Sequence, residues 1–226
     1  MEVLRLDRPE RRNAMDTGLL EALLGALEEL GADETLRALV VSTTSERALS
    51  AGADVAEDLD PAAGVERMRL FTRLYAAVDA FPLPTVAVCV GNVVGAGAEL
   101  AAGCDLRVGG DNLKLAWPGA RLGVPVGPAR LVPLVGLAAA KDLILTGRVV
   151  GMEEAARLGL LHRTAEAARA EEVALELARE VAAHPPDGLR RLKAMFRELG
   201  DSGRRIAYEN DLLMAFQREG AGLPRR

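Results

Sequence analysis

The stretch "TVAVCVGNVVGAGAELAAGCDLRV", residues 85–108, contains the signals of several successive structural elements. Its first residues are mostly apolar and branched, which is typical of a buried strand. Glycine and alanine then surround Glu99, and this small-residue segment predicts a turn followed by a helix that starts near Ala96. The closing "CDLRV" predicts another strand. This order of strand, turn, helix and strand indicates an α/β fold.

The flanking sequence continues the same alternation. Apolar runs predict strands, and apolar positions at helical spacing predict amphipathic helices. Strands are predicted at 3–6, 36–42, 83–91, 104–110 and 113–117, and helices are predicted from Asp16 or Thr17 onward and over 65–80. From residue 127 to the end the pattern is mainly helical. We therefore expect alternating strands and helices followed by a helical C-terminal part.

Composition excludes several classes of protein. The chain has 226 residues, 50% of them hydrophobic, which is sufficient for a sizeable core. A net charge of −5 and 3% aromatic residues argue against nucleic-acid binding, which uses basic stripes and stacking rings. No apolar run is long enough to span a bilayer, and the start lacks the layout of a signal peptide. We expect a cytoplasmic protein with no membrane partner.

The two cysteines, Cys89 and Cys104, lie in apolar surroundings, and no histidine stands near either one. They are predicted to be reduced core residues, and no metal site is expected. A nucleotide-binding fold is also excluded. Gly95 and Gly97 begin a G-x-G pattern, but Leu100 stands where a dinucleotide fingerprint requires its third glycine.

Two glycine turns share one form. "SAGAD" at 50–54 and "GAGAE" at 95–99 each place small residues before an acid, shortly after a predicted buried strand. Glycine permits a tight turn and close approach of a ligand, and a helix start leaves N–H groups without acceptors. One N–H from each turn could bind a single carbonyl oxygen as it becomes an oxyanion. The alternative is that both are only tight turns, with Glu99 placed favourably near a helix N-terminus.

Several longer segments together resemble one known family. The segments "LDRPERRNAMD", "ALSAGADVAE", "PTVAVCVGNVVGAGAELAAGCDLRV", "LAWPGARLGVPVGPARLVPLVG" and "LTGRVVGMEEAARLGLLHR" occur in the order and spacing of the enoyl-CoA hydratase/isomerase, or crotonase, family. The resemblance covers about residues 3–200. It implies a crotonase-like spiral of β-β-α turns over 1–136. It also implies a helical C-terminal trimerisation region over 137–226, within the same structural unit.

The resemblance also assigns roles to individual residues. Ala53 and Ala96 match the positions whose N–H groups form the family's oxyanion hole. Glu99 matches the first of the two glutamates with which hydratases activate water. Gly119 stands at the position of the second glutamate, and Gly127 stands where certain relatives have an aspartate. The second acid is therefore expected to be missing.

Further positions are expected to contact the substrate. By resemblance these are Arg11, Arg12, Ala51, Gly52, Asp54, Gly97, Trp117 and Gly119. Arg11 and Arg12, with Arg8, lie where relatives pass the coenzyme A phosphates, and guanidinium groups suit phosphate oxygens. A solvated charge run is the alternative. Asp54 is interpreted as a residue that orders its loop, and Trp117 lines the acyl pocket or simply fills the core.

The expected activity is that of an enoyl-CoA hydratase-type lyase of fatty acid metabolism. Glu99 would act as acid/base on a 2-enoyl-CoA through an oxyanion-stabilised enolate. The alternatives are isomerisation, thioester hydrolysis, decarboxylation or a catalytically weak acyl-CoA-binding paralogue. Coenzyme A would enter as part of the substrate, with no separate cofactor. The resemblance also implies a homotrimer or a dimer of trimers, that is, a hexamer.

Overall fold

Strands and helices alternate along the chain, as the sequence predicts. The computed structural model of the protein describes residues 1–220 and 222–223. The strands within these residues are Glu2–Leu6 (β1), Leu39–Thr43 (β2), Ala48–Ser50 (β3), Thr85–Cys89 (β4), Asn92–Val94 (β5), Leu106–Gly110 (β6), Lys114–Ala116 (β7) and Arg163–Ala165 (β8). The α-helices are Thr17–Ala32 (α1), Pro61–Ala80 (α2), Ala96–Gly103 (α3), Pro128–Thr146 (α4), Met152–Arg157 (α5), Ala170–Ala182 (α6), Pro186–Leu199 (α7) and Ser202–Glu219 (α8).

The strands form two sheets with parallel pairing throughout. The larger sheet has the order β1-β2-β4-β6-β8, and the smaller has the order β3-β5-β7. The chain repeatedly adds one strand to the larger sheet, then one to the smaller, and then forms a helix. Three such turns follow each other as β2-β3-α2, β4-β5-α3 and β6-β7-α4. The predicted α/β fold with a spiral of β-β-α turns is therefore confirmed.

The sequence does not predict the short strands β3 and β5, because three residues are too few to show an alternating pattern. The turn that leads into β5 depends on Gly91, whose φ is +56°. A Cβ atom there would lie 2.1 Å from the carbonyl oxygen of Arg47, just before β3. Only glycine allows the two turns to pack at this distance.

Helix starts follow local capping chemistry. The carboxylate of Asp16 accepts a hydrogen bond of 2.9 Å from the N–H of Leu19, so α1 begins where the sequence predicts. Helix α2 begins at Pro61, before the predicted start at residue 65. Asp60 caps its first turn and proline occupies its first position, a signal that the apolar periodicity alone does not contain.

Helix α2 forms the centre of the core. Its buried side chains include all of the inward positions that the sequence predicts, namely Met68, Phe71, Leu74, Tyr75 and Val78. Helices α1 and α8 pack against it from different sides. Cys89 and Cys104 are buried free thiols, as predicted. Burial raises the pKa of the Cys89 thiol to about 12.

Helix α4 consists of two helical segments that meet beside the predicted boundary between 136 and 137. It is interrupted at Gly136, which has a φ of +77°. The division into a core and a C-terminal region stays a prediction, and residues 221 and 224–226 of that region lie outside the described part. Within the described residues, no helix combines the length and apolar character needed to cross a bilayer.

Candidate active site

The fold brings the two predicted glycine turns into direct contact. Gly52 has a φ of +100°, and a Cβ atom there would lie 2.8 Å from the carbonyl oxygen of Val94 and 3.6 Å from the nitrogen of Ala96. A Cβ atom at Gly97 would lie 2.5 Å from the carbonyl oxygen of Ser50. Each glycine thus removes a side chain that would separate the turns, so their backbones approach each other closely.

This contact places two candidate N–H donors beside each other. The N–H of Met15 donates to the carbonyl oxygen of Gly52, and the N–H of Asp54 donates to the carbonyl oxygen of Met15. The N–H of Ala53, between these two bonds, takes no part in this pairing. No acceptor for that N–H occurs among the described residues. Ala96 is the first residue of α3, where an N–H has no intrahelical acceptor. Two neighbouring backbone N–H groups without acceptors are the kind of donors that an oxyanion hole uses.

Both alanines face one apolar cavity of about 210 Å³. Four of the other predicted site residues, Ala51, Gly52, Trp117 and Gly119, also line it. The remaining lining residues are Val55, Met68, Phe71, Tyr75, Val94, Gly95, Pro118, Leu122, Val124, Val126, Leu213 and Leu223. No residue in this lining, as far as the structure describes it, carries a formal charge. The cavity is suited to an uncharged, apolar group next to the two N–H donors.

Trp117 and Gly119 close one side of this cavity. Trp117 is only 2% exposed, and its indole N–H has no partner in the described part of the chain. A Cβ atom at Gly119 would lie 3.0 Å from the carbonyl oxygen of Val124. A larger side chain at 119 would therefore require the following turn to move. Gly119, the position that the resemblance assigns to a second glutamate, thus has little room for a larger side chain.

Glu99 is buried and is not among the residues that line the cavity. It is 1% exposed, and its Oε2 accepts a hydrogen bond from Nε of Arg130. Its Oε1 is buried with no partner among residues 1–220 and 222–223. The side chain of Tyr75 belongs to both regions, because it lines the cavity and its ring centroid lies 4.5 Å from Cζ of Arg130. Glu99 is thus an ion-paired carboxylate with one free oxygen.

Arg130 also pairs with a second buried acid, Glu209, through Nη2. Glu209 accepts two further hydrogen bonds, of 3.0 Å from the N–H of Gly127 and 2.8 Å from that of Ala129. Burial and the negative charge of Glu99 raise the pKa of Glu209 to about 7, against the opposing effect of Arg130 and the two N–H groups. The sequence does not predict Arg130 or Glu209, since no local motif marks either residue.

The N-terminal arginines have different environments. Arg8 donates a 2.6 Å hydrogen bond to Asp54 and lies 3.0 Å from the carboxylate of Asp16. Burial raises the pKa of Asp54, but the bond from Arg8, a backbone N–H and nearby positive charge outweigh this and hold it below its usual range. Asp54 does not line the cavity, which agrees with its interpretation as a loop-ordering residue. Arg11 and Arg12 are exposed.

Asn13 is a site residue that the sequence does not predict. Its fully buried side chain donates to Thr43 and to the carbonyl oxygens of Ala48 and Leu49. Its side-chain oxygen accepts from the N–H of Arg8. Asn13 therefore fixes the arginine-bearing segment to β3, close to the first glycine turn. Its only signal is an uncharged amide within the charged run "RPERRNAMD".

Comparisons with known proteins agree with this geometry. The family model for enoyl-CoA hydratase/isomerase matches residues 1–219. A candidate enoyl-CoA hydratase of Thermus thermophilus is 40% identical over 212 residues, covering 89% of this chain and 82% of that protein. The 2,3-dehydroadipyl-CoA hydratase of Escherichia coli is 34% identical over 201 residues, covering 87% and 78%. A solved enoyl-CoA hydratase/isomerase of Xanthobacter autotrophicus has a TM-score of 0.87 at 25% identity, covering 98% of this chain and 85% of that one.

The match runs through every element that builds the site, from the first strand to the helix that contributes Glu209. The β-β-α spiral and the paired glycine turns are features of the same stretch of chain. The protein therefore belongs to the enoyl-CoA hydratase/isomerase (crotonase) family and is an enzyme of the hydratase/isomerase kind.

Proposed function

We propose that the protein acts on acyl-CoA thioesters, with the thioester carbonyl bound by the N–H groups of Ala53 and Ala96. The observation that supports this most strongly is the convergence of these two donors at an uncharged apolar cavity. Donors placed where negative charge develops stabilise an enolate oxygen more than the ground-state carbonyl. The acyl chain would occupy the cavity, and coenzyme A would enter only as part of the substrate.

Hydration of a 2-enoyl-CoA is the reaction we propose first. Glu99 would serve as acid/base, because it lies on the same helix as Ala96, which lines the cavity, and its Oε1 has no partner among the described residues. A single carboxylate would then handle the protons of both water and the α carbon. The apolar lining favours an uncharged acyl chain over one with a distal carboxylate, since it offers no basic side chain to pair with it.

Double-bond isomerisation is a second candidate. It is favoured because the described lining contains no carboxylate that could assist Glu99, and one acid/base is sufficient to move a proton between the α and γ carbons. Product analysis separates the two reactions. With crotonyl-CoA, hydration yields the 3-hydroxyacyl thioester, whereas isomerisation of a 3-enoyl-CoA yields the conjugated 2-enoyl thioester. Conversion of neither substrate would contradict both candidates.

Acyl-CoA thioesters are expected to bind much more tightly than the corresponding free acids. A free acid would put a carboxylate charge into an apolar cavity, and it lacks the phosphates that Arg11 and Arg12 could contact. Calorimetry with butyryl-CoA and with butyrate measures the difference. The contribution of the arginines is tested by changing both to alanine, which should lower the affinity for butyryl-CoA by about tenfold. The affinity for the butyryl thioester of N-acetylcysteamine, which has no phosphates, should not change. Equal affinity for butyryl-CoA and butyrate would contradict the ligand assignment.

We also expect self-association as a trimer or a dimer of trimers. Large apolar side chains are exposed on α4, α7 and α8, including Leu145 (70%), Phe196 (73%) and Leu199 (81%). Contiguous exposed apolar surface typically marks a protein interface. Sedimentation at micromolar concentration should therefore give three or six times the chain mass, and Leu199→Glu should reduce it. A wild-type chain that sediments only at 23.9 kDa would contradict the assembly.

A further inference from the structure

We propose that Arg130 and Glu209 are positioning residues that present one oxygen of Glu99 to the substrate. The proposal rests on the role of Glu99 in the proposed function. It extends that role from a single carboxylate to a cluster of three buried charged side chains, which are contributed by α3, α4 and α8. Glu99 would act on the substrate directly, and the other two would act only through Glu99.

The guanidinium group of Arg130 connects the two acids. Its Nε donates to Oε2 of Glu99, and its Nη2 donates to Oε1 of Glu209. These two nitrogens belong to one rigid planar fork, so the position of one carboxylate determines where the other must lie. Lysine at 130 would keep the charge but would offer a single nitrogen in place of the fork. The orientation of Glu99 therefore depends on the shape of this side chain as well as on its charge.

Arg130 is itself held from two other directions. Its Cζ lies 4.5 Å from the ring centroid of Tyr75 on α2, a cation–π distance. Glu209 is fixed on α8 and uses its Oε2 to accept hydrogen bonds from the N–H groups of Gly127 and Ala129. Both bonds lie in the first turn of α4, which also contains Arg130. The fork thus has little freedom to rotate away from Glu99.

Gly127 lies next to the second oxygen of Glu99 and places no side chain against it. A Cβ atom at this residue would lie 3.4 Å from Oε1 of Glu99 and 3.0 Å from Cδ1 of Ile144, and the φ of +119° disfavours any other residue. Oε1 is buried and has no partner among the described residues. The cluster therefore satisfies one oxygen of Glu99 and leaves the other without a partner among the described residues, and it is to this second oxygen that we assign proton transfer.

Charge in the cluster depends on pH through Glu209. The charged or titratable groups facing it are Glu99 on α3, Arg130 on α4, Tyr75 on α2 and, on its own helix, Arg205, which lines a separate groove together with Glu209. Burial and Glu99 raise the pKa of Glu209 to about 7. Below that pH, Glu209 is protonated and the charge of Arg130 is directed mainly at Glu99. Above that pH, the carboxylates of Glu99 and Glu209 share the guanidinium group of Arg130. The plot of kcat against pH should therefore change slope near pH 7.

A double-mutant cycle tests the proposal. Glu209→Gln alone should lower kcat by about 10- to 100-fold, leave KM nearly unchanged and remove the change of slope near pH 7. In a Glu99→Gln background, Glu209→Gln should cause no further loss of kcat, because its effect passes through Glu99. Asp105→Asn is the matched control. This change removes a partly buried carboxylate that lies 2.7 Å from the amino group of Lys193. Neither residue lines the cavity, so the variant should keep the kcat of the wild type.

If Glu209→Gln does not fold, Arg130→Lys takes its place. It should lower kcat in the wild-type background and cause no further loss in the Glu99→Gln background. The positioning role would be overturned if Glu209→Gln or Arg130→Lys lowered kcat by the same factor in the wild-type and Glu99→Gln backgrounds. It would also be overturned if both single variants kept the kcat of the wild type. Either result would leave the proposed function intact. Wild-type kcat in Glu99→Gln alone would instead contradict the proposed function. The two failures are therefore distinguishable.

Discussion

Glu99→Gln is expected to lower turnover of a 2-enoyl-CoA by about 100-fold or more. The amide has the size of the carboxylate but cannot accept a proton, so the chemical step loses its acid/base. Binding should persist, because the oxyanion donors and the apolar lining are unchanged. The assay is the loss of enoyl-thioester absorbance with crotonyl-CoA and longer substrates, combined with calorimetric titration of butyryl-CoA.

The alternative role of Glu99 predicts a different result. If Glu99 has only a structural role, at the N-terminus of α3 and as a buried partner of Arg130, its replacement should lower the unfolding free energy but leave turnover intact. Thermal unfolding of the variant provides the control. The fold should survive, since Arg130 keeps its pairing with Glu209 when Glu99 becomes neutral. Equal turnover by the wild type and Glu99→Gln would contradict the catalytic role and favour a binding function.

The architecture was largely predictable because its signals are local. The buried strand before Gly91, the Asp16 cap and the apolar face of α2 are each contained in a short stretch of sequence. The contact between the two glycine turns was predictable for the same reason, since glycine at 52 and 97 marks close backbone approach. The three-residue strands β3 and β5 were not predictable, because their pairing depends on neighbours that are distant in sequence.

The surroundings of Glu99 could not be predicted from any such stretch. Arg130 is 31 residues from Glu99, and Glu209 is 79 residues from Arg130. The three residues meet only because α3, α4 and α8 pack together, and each alone resembles an ordinary charged position in a helix. The sequence placed the acid among small residues near the start of a helix, and the structure shows that it is also buried. It gave no indication that the acid is ion-paired, which decides how it can exchange a proton.

Gly97→Ala is expected to have the second large effect, because the added methyl group enters the contact between the two turns. Its Cβ would lie 2.5 Å from the carbonyl oxygen and 2.8 Å from Cβ of Ser50. Backbone atoms cannot yield to such a contact as a flexible side chain would, so the start of α3 must shift. The N–H of Ala96 would move away from that of Ala53. Losing one oxyanion donor lowers kcat by about 100- to 1000-fold.

The same substitution elsewhere separates this effect from the general consequence of replacing glycine. Gly25 lies within α1, and a Cβ atom there would meet nothing within 4 Å. Gly25→Ala should therefore stabilise the protein by roughly 0.5–1 kcal/mol and leave kcat unchanged. Gly97→Ala should destabilise it by about 1–3 kcal/mol through overpacking. If Gly97→Ala folds and retains wild-type kcat/KM, the two turns do not form the oxyanion hole, since their spacing would have changed without consequence for the reaction.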